Sequence, residues 1–171
     1  MIAEPKIEVI EFYIHGKDGD AKPKFHGNKG SFPNSFNKER KKIYIVIAED
    51  IETKKGECFY IGETETAINI RFQRAFKSYR YYKKDDTHNG YKGYKWIEAV
   101  EGKKLMVCVA TFDFESTHEL LEAVEGELVL LVRNETDKWP LYQNEIHFWN
   151  EEGAIDYAKF IFNKTKHYFP K

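Results

Sequence analysis

Five polar residues in this sequence have side chains suited to the hydrolysis of a phosphodiester bond: Tyr44, Tyr60, Arg71, Glu127 and Asn144. An arginine can fork onto two non-bridging phosphate oxygens, a geometry that lysine does not reproduce. A single carboxylate can hold a hard divalent cation that keeps several of its waters. A tyrosine can act as a base where a neighbouring cation favours its phenolate.

The two tyrosines lie in a predicted β-hairpin. Residues 42–48 are apolar and β-branched, and residues 58–62 form a second apolar run. The polar stretch between them contains Lys54-Lys55-Gly56, which is typical of a turn. Pairing of the two runs would bring both phenols onto one small sheet.

Arg71 lies on a helix that is predicted directly after the hairpin. Thr64 or Thr66 can cap the N-terminus of this helix. From Ala67 onwards, apolar residues recur at helical spacing, namely Ile68, Phe72, Ala75, Phe76 and Tyr79. Arg71 therefore borders the buried stripe, which is where a functional arginine would need to be.

Glu127 lies on a second predicted helix. Residues 104–114 are largely apolar and predict a central strand, after which Ser116 or Thr117 caps a helix that runs to about Arg133. The buried stripe of this helix consists of Leu120, Leu121, Val124, Leu128 and Leu131. Glu127 borders the stripe, where an unpaired carboxylate is costly.

The two ends of the chain add a strand and a helix to this core. Residues 6–14 alternate in polarity and predict a strand, and residues 154–168 predict an amphipathic helix. Residues 15–40 are rich in Gly, Lys, Asn and Pro, which indicates a loop. Because so long a loop is uncommon unless it is functional or disordered, we interpret it as a basic arm that orders on a partner, with a flexible surface loop as the alternative.

The order of elements favours an α/β (α+β) class, with a small antiparallel sheet flanked by helices in a single domain. The chain is expected to have three segments. Residues 1–40 form the N-terminal strand and basic arm, residues 41–150 form the core that contains the five candidate residues, and residues 151–171 form a C-terminal helix that packs on this core.

These motifs resemble those of the GIY-YIG nuclease superfamily. Tyr44 matches the tyrosine of the first strand, although Lys42 replaces the glycine of the family name. Tyr60-Ile61-Gly62 matches the second motif without change.

The later motifs of the family follow in the same order. Arg71 comes three residues after Ile68 on the next helix, Glu127 is followed by two aliphatic residues, and Asn144 follows a turn that contains Pro140. The resemblance covers roughly residues 41–145.

The resemblance implies a GIY-YIG-like fold with a three-stranded antiparallel sheet and a role for each motif residue. Tyr60 would be the general base and Tyr44 its positioning partner. Arg71 would bind the phosphate, and Glu127 would hold one Mg²⁺ or Mn²⁺ ion that polarises the phosphate and stabilises the leaving oxygen. Asn144 would hold the Glu127 helix or the hairpin in place by hydrogen bonds.

Besides Lys42, two positions depart from the family pattern. Many relatives carry His or Tyr four residues after the arginine, where this chain has Ala75, and some carry Lys at the position of Glu63. The alternatives are that Tyr79, Tyr81 or His88 replaces the missing His or Tyr, or that no group does. Arg74, Tyr79 and His88 are the candidate auxiliary residues of the site. His118 and His147 have no metal-type partners at useful spacing, so we interpret them as core or surface histidines.

Charge is unevenly distributed along the chain. The net charge is −1 and the pI is about 6.6, whereas nucleic-acid-binding proteins are usually basic. Cations nevertheless cluster before residue 43 and again between residues 71 and 95, where aromatic residues are interleaved with them. The candidate nucleic-acid contacts are Lys41, Lys42, Lys77, Arg80, Lys83, Lys84, Lys92 and Lys95.

The sequence also predicts the cellular compartment of the protein. Cys58 and Cys108 lie in apolar runs and are expected to be buried thiols, with no disulfide or zinc pattern. The N-terminus lacks a secretory signal, and no apolar run approaches the roughly 20 residues of a membrane span. The chain is therefore expected to be cytoplasmic.

The resulting hypothesis is a metal-dependent endonuclease that acts on double-stranded DNA. The compact chain resembles stand-alone type II restriction enzymes, and a homodimer is the simplest way to cut both strands. The alternatives are a nucleic-acid-binding or regulatory protein on a degenerate nuclease fold, and a protein-interaction domain. The recognition sequence and the choice between DNA and RNA stay open.

Overall fold

The computed structural model describes residues 3–15, 22–25, 32–85, 95–143 and 146–169. Within these ranges the chain forms five strands and three α-helices, with short 3₁₀ segments between some of them. The strands are β1 (Lys6–His15), β2 (Lys22–Phe25), β3 (Lys41–Asp50), β4 (Gly56–Thr64) and β5 (Lys103–Phe112). The helices are α1 (Ile68–Asp85), α2 (His118–Thr136) and α3 (Ala154–Thr165).

The strands form one antiparallel sheet in the order β2-β1-β5-β3-β4. The expected hairpin of β3 and β4 and the expected central strand β5 are confirmed. The sheet has five strands, however, so the expectation of three strands is wrong. β5 is apolar on both faces and has two edges to pair, and the N-terminal strand β1 covers the edge that β3 leaves free.

Helices cover both faces of the sheet. Alternate residues of a strand point to opposite faces, and in β3 Tyr44 and Val46 join the apolar cluster that contains α1. Ile43 and Ile45 join the cluster that contains α2 and α3. We call these sides the α1 face and the α2 face. The two clusters are the core of the molecule.

The helices begin close to where their sequence signals predict. Thr117 is the N-cap of α2, and its hydroxyl oxygen accepts a hydrogen bond from the Leu120 N–H at 3.0 Å. The apolar stripe of the last helix is confirmed by the burial of Ala158 and Ile161 in α3, which packs on α2. None of the described helices is long and apolar enough to cross a membrane.

The segment expected to be a loop contains ordered structure. Strand β2 pairs with β1, and residues 34–37 form a 3₁₀ helix. Phe32 and Phe36 are buried against Phe12 and Phe72 on the α1 face. Although these two aromatics show no periodicity in the sequence, the described part of the segment belongs to the core and is not a free arm.

Strand β4 lies at the edge of the sheet, where its outward N–H and C=O groups need partners from elsewhere. Leu141 N–H donates to the Cys58 carbonyl at 3.0 Å, and Tyr142 N–H donates to the Phe59 carbonyl at 2.8 Å. The chain that leaves α2 thus runs beside β4, and we call this side of the strand the β4 edge. It shields a strand edge that would otherwise invite pairing with another chain.

Candidate active site

Tyr44 and Tyr60 meet on the α1 face above Gly62. Tyr44 is opposite Gly62 in the strand register, and Tyr60 is opposite Val46, so both side chains point to the same face. Their ring centroids are 5.9 Å apart. A Cβ atom at Gly62 would lie 2.6 Å from Tyr60 Cε1 and 2.8 Å from the Tyr44 hydroxyl oxygen. The absence of a side chain at Gly62 is therefore what lets the two phenols converge.

Arg71 joins this pair from the first turn of α1. The Thr64 hydroxyl accepts a hydrogen bond from the Thr66 N–H at 3.2 Å as the chain leaves β4, and Arg71 N–H donates to the Ala67 carbonyl. This tight connection brings Arg71 back over the sheet, where its Nε donates to the Tyr44 hydroxyl oxygen at 3.3 Å. The structure brings Tyr44, Tyr60 and Arg71 together, while their roles in catalysis stay predictions.

The glutamate of α2 that reaches the β4 edge is Glu125, and not Glu127. Glu125 Oε2 accepts a hydrogen bond from the Glu63 N–H at 2.9 Å, directly after Gly62 in the chain. Residues two positions apart on an α-helix are rotated by about 200°. Glu127 consequently lies on a different side of α2 from Glu125, and its role as the metal ligand stays a prediction.

Gln143 connects the β4 edge to α2. Its Oε1 accepts from the Ile61 N–H at 3.2 Å, and its Nε2 donates to Glu125 Oε1 at 3.1 Å. This bridge was expected of Asn144, which lies outside the described residues. Gly126 makes the approach of the following chain possible, because a Cβ there would lie 2.5 Å from the His147 carbonyl oxygen.

A histidine and further glutamates lie next to Arg71. Glu63, Thr64, Glu65, Arg71 and His118 line one open depression at the end of β4. His118 Nδ1 is 3.9 Å from Glu63 Oε2, and its Nε2 is 3.4 Å from Oε1 of Glu122, one turn along α2. The depression thus combines a guanidinium, an imidazole and carboxylates.

Burial perturbs two of the carboxyl groups. It raises the pKa of Glu125 from 4.5 to about 8, and the negative charge of Glu63 adds to the rise. Burial also raises the pKa of Glu63, although the charges of His118 and Arg71 oppose the shift. A perturbed carboxyl group beside an open depression is typical of functional sites.

The structure locates three of these candidates, namely Arg74, Tyr79 and Tyr81. Tyr79 is buried in the core of the α1 face, and Arg74 is exposed on the solvent side of α1. Ala75 is also buried in this core. Tyr81 is exposed on the last turns of α1, where Lys77 Nζ lies 5.9 Å from its ring centroid, and His88 lies outside the described residues. The described part of the chain therefore brings neither Tyr79 nor Arg74 into the depression.

Lys42 differs from the expected surface cation. Its side chain is completely buried, and its Nζ donates to the carbonyls of Lys38 at 2.6 Å and Arg40 at 2.7 Å. Desolvation, helped by the charge of Arg40, lowers the pKa of Lys42 to about 8. The expectation of a phosphate contact at Lys42 is wrong, because the ammonium group ties the entry of β3 to the preceding chain.

The other candidate contacts have different surroundings. Lys77 is exposed on α1, whereas Arg80 and Lys95 are half-buried. Lys41 donates to the Ser116 carbonyl and lies 3.6 Å from Glu65. The side chains of Lys83 and Lys84 and the whole of Lys92 lie outside the described residues.

Glu125, Gln143 and His118 are the site residues that sequence reasoning missed. Glu125 could have been found, because it lies one helical turn after Leu121 and one turn before Val129, two buried positions of α2. Its own side chain is half-buried, and a charged residue beside the core is expected to have a polar partner. Gln143 and His118 carry no such signal, since their partners lie far away in the sequence.

Comparison with known proteins gives one match of low similarity. No family model matches this chain, and no curated protein matches it. Among solved structures, the chain is similar to "Restriction endonuclease HPY188I in complex with product DNA", with 14% identity and a TM-score of 0.40 over 81% of this chain and 80% of that chain. A likeness at this TM-score does not establish a common fold, so the site is interpreted from its own residues.

Proposed function

We propose that this protein is a divalent-metal-dependent endonuclease of the GIY-YIG type that hydrolyses DNA phosphodiester bonds. The observation that supports the proposal best is the convergence of Tyr44, Tyr60 and Arg71 above Gly62, with the buried carboxyl group of Glu125 at the adjacent strand edge.

Each residue has a separate role in the proposed reaction. Tyr60 takes the proton of the attacking water, and Arg71 donates to the non-bridging oxygens of the phosphate. Arg71 also bonds to the Tyr44 hydroxyl, which holds the guanidinium over the pair of rings. A positive charge beside two phenols favours the phenolate that a base requires.

Glu125 fits a metal ligand better than Glu127 does. Its side chain is half-buried. Its carboxyl group accepts two hydrogen bonds and has no cationic partner among the described residues. Within the same ranges no three His, Cys, Asp or Glu side chains form a metal cluster, which suits Mg²⁺ or Mn²⁺ held by one carboxylate and waters. The bound cation would supply the positive charge that offsets the charge on the reacting phosphate. Gln143 orients this carboxylate.

The preferred substrate in this proposal is double-stranded DNA, and site-specific cleavage would make the protein a type II restriction enzyme. Both strands of a duplex must then be cut. A homodimer achieves this most simply, since a two-fold axis relates two sites as it relates the two strands.

The experiment that tests the proposal is incubation of plasmid and phage DNA with the protein in Mg²⁺ or Mn²⁺. We expect cleavage by the wild type, no cleavage by Glu125→Gln, and wild-type cleavage by Glu127→Gln, the matched control two residues away. Discrete fragments would indicate site specificity, and a smear would indicate a nonspecific nuclease. If Glu125→Gln cuts as fast as the wild type, Glu125 is not the metal ligand.

A second candidate is a DNA-binding protein that has lost catalysis. The raised pKa of Glu125 favours it, because a carboxyl group that holds its proton near neutral pH binds cations weakly. Salt-dependent DNA binding without cleavage in any divalent metal would support this candidate and contradict the nuclease.

A further inference from the structure

We propose that His118 is the catalytic acid that protonates the leaving oxygen. This inference rests on the proposed nuclease function and assigns a role to a group on α2, whereas both tyrosines and Arg71 come from the β3–β4 hairpin and α1. The argument starts from the depression that His118 and Arg71 line together.

Polar groups extend from Tyr44 to His118. Arg71 bonds to Tyr44 and lines the depression together with Glu63 and His118. Glu63 Oε2 lies 3.9 Å from His118 Nδ1. A phosphate held by Arg71 in this depression would therefore lie beside the imidazole. About half of the His118 side chain is exposed (53%), so a substrate can reach the ring.

The start of α2 is held in place, which a catalytic group requires. His118 is the first residue of the helix, directly after the N-cap Thr117. Lys41 donates to the carbonyl of Ser116 and is 3.6 Å from Glu65. These contacts tie the helix start to β3 and to the depression.

Charged groups on three elements surround the imidazole. Glu122 of α2 lies 3.4 Å from its Nε2, and Glu63 of β4 faces its Nδ1. Glu65 and Arg71 line the same depression. Carboxylates thus flank both ring nitrogens of His118.

The reaction balances with these groups. The water oxygen forms a bond to phosphorus, and the water proton passes to the Tyr60 phenolate. The bond between phosphorus and the bridging oxygen breaks, its electron pair stays on that oxygen, and the oxygen takes a proton from the His118 imidazolium. Tyr60 then returns a proton to solvent and His118 regains one from it, so the net change is hydrolysis.

The test compares His118→Asn with the wild type on two DNA substrates. One is ordinary, and the other carries sulfur in place of the bridging oxygen that the product ends identify as the leaving atom. A thiolate leaves without a proton, because the pKa of a thiol is about 8.5. We expect His118→Asn to cut ordinary DNA about 10²–10⁴-fold more slowly and to approach the wild-type rate on the sulfur substrate. His167→Asn, an exposed histidine on the 3₁₀ turn after α3, should match the wild type on both.

Equal impairment of His118→Asn on both substrates would overturn the acid role in favour of positioning, and an unchanged rate on ordinary DNA would exclude any role. If the wild type cuts neither substrate, the nuclease function itself fails, which is a different outcome.

Discussion

Gly62 determines how closely the two phenols of the site can approach each other. Its backbone passes directly beneath both rings, and any Cβ would overlap Tyr60 Cε1 and the Tyr44 hydroxyl. The close approach of the two rings thus explains why the third residue of the Tyr60-Ile61-Gly62 motif is a glycine in this structure.

We expect Gly62→Ala to separate the phenols and to slow cleavage about 10²-fold while the fold survives. Overpacking costs about 1–3 kcal/mol, and misplacement of reacting groups costs about 10²-fold in rate. Cleavage assays and denaturant unfolding measure the two effects. Gly102→Ala is the control, because Gly102 has a positive φ of 73° but no neighbour within 4 Å of its Cβ. It should lower stability through backbone strain alone, so equal loss of cleavage in both variants would contradict the steric role.

The buried carboxyl group of Glu125 should make stability depend on pH. Its folded pKa is raised from 4.5 to about 8, so the folded state holds a proton that the unfolded state releases in this window. The contribution of this proton to the free energy of unfolding should therefore be fully present below pH 4.5. The free energy of unfolding should then fall by up to about 1.4 kcal/mol per pH unit as the pH rises towards 8. Urea unfolding in EDTA from pH 5 to 9 measures the slope.

Two variants separate this effect from other titrations. Glu125→Gln has no ionisable group at the position and should show a flatter slope. Glu127→Gln should keep the wild-type slope, because Glu127 makes neither of the bonds that Glu125 makes. Added Mg²⁺ should stabilise the wild type more at pH 8 than at pH 6 and should stabilise Glu125→Gln at neither pH; a slope unaltered in Glu125→Gln would contradict the pKa assignment.

The chain between α2 and α3 links strand β4 to helix α2. Residues 141 and 142 pair with the backbone of β4, and the next residue, Gln143, bonds to both β4 and α2. This segment fixes the distance between the tyrosines on the sheet and the carboxylate on the helix.

We expect Gln143→Leu to reduce metal-dependent cleavage about 10–100-fold, as the loss of a ligand-orienting bond usually does. It should also lower stability by about 1–3 kcal/mol, because the Ile61 N–H loses its acceptor. Leu141→Ala is the control, since the Leu141 side chain is exposed and its backbone bond is kept. Activity that is unchanged in Gln143→Leu would show that the bridge does not position Glu125.

The segment before β3 contributes to the core on the α1 face. Phe36 is completely buried, whereas Phe148 is 60% exposed. We expect Phe36→Ala to lower the free energy of unfolding by about 3–5 kcal/mol and Phe148→Ala to change it by less than about 0.5 kcal/mol. Denaturant melts measure both. A small effect of Phe36→Ala would restore the interpretation of this segment as a separate arm.

At the scale of the whole molecule, charge distribution matters more than the net charge of −1. Lys77 is exposed on α1, the helix that supplies Arg71, whereas Lys164 is exposed on α3 across the sheet. We expect the logarithm of DNA affinity to fall linearly with the logarithm of salt concentration. Lys77→Ala should reduce this slope by about 0.9 if Lys77 contacts one phosphate, and Lys164→Ala should leave it unchanged. Fluorescence anisotropy measured across salt concentrations gives the slope for the wild type and for both variants. Equal slopes in all three proteins would exclude the α1 face as the DNA-binding surface.

Periodicity predicted most of the elements but only part of the site. The strands around Tyr44 and Tyr60 and the helix around Arg71 follow from apolar spacing, because local burial dictates that spacing. Glu127 was predicted as the metal ligand because it fits a family pattern, and this role stays a prediction. The bonds of Glu125 to Glu63 and Gln143 became visible only in the structure. Lys42 was predicted to be an exposed nucleic-acid contact, because a lysine is usually exposed and its carbonyl partners cannot be identified from the sequence.

The sequence by itself determined the β3–β4 hairpin, the three helices and the order in which the phenols, the arginine and the later polar residues occur. These features depend on neighbours within a few residues of each other. Only the tertiary structure decided that β1 completes a five-stranded sheet, that Gln143 and Glu125 lie against β4, and that His118 lies beside Arg71. The two side-chain bonds of Gln143, for example, join residues that are 18 and 82 positions apart in the chain. No local sequence pattern determines which distant groups meet when the core packs.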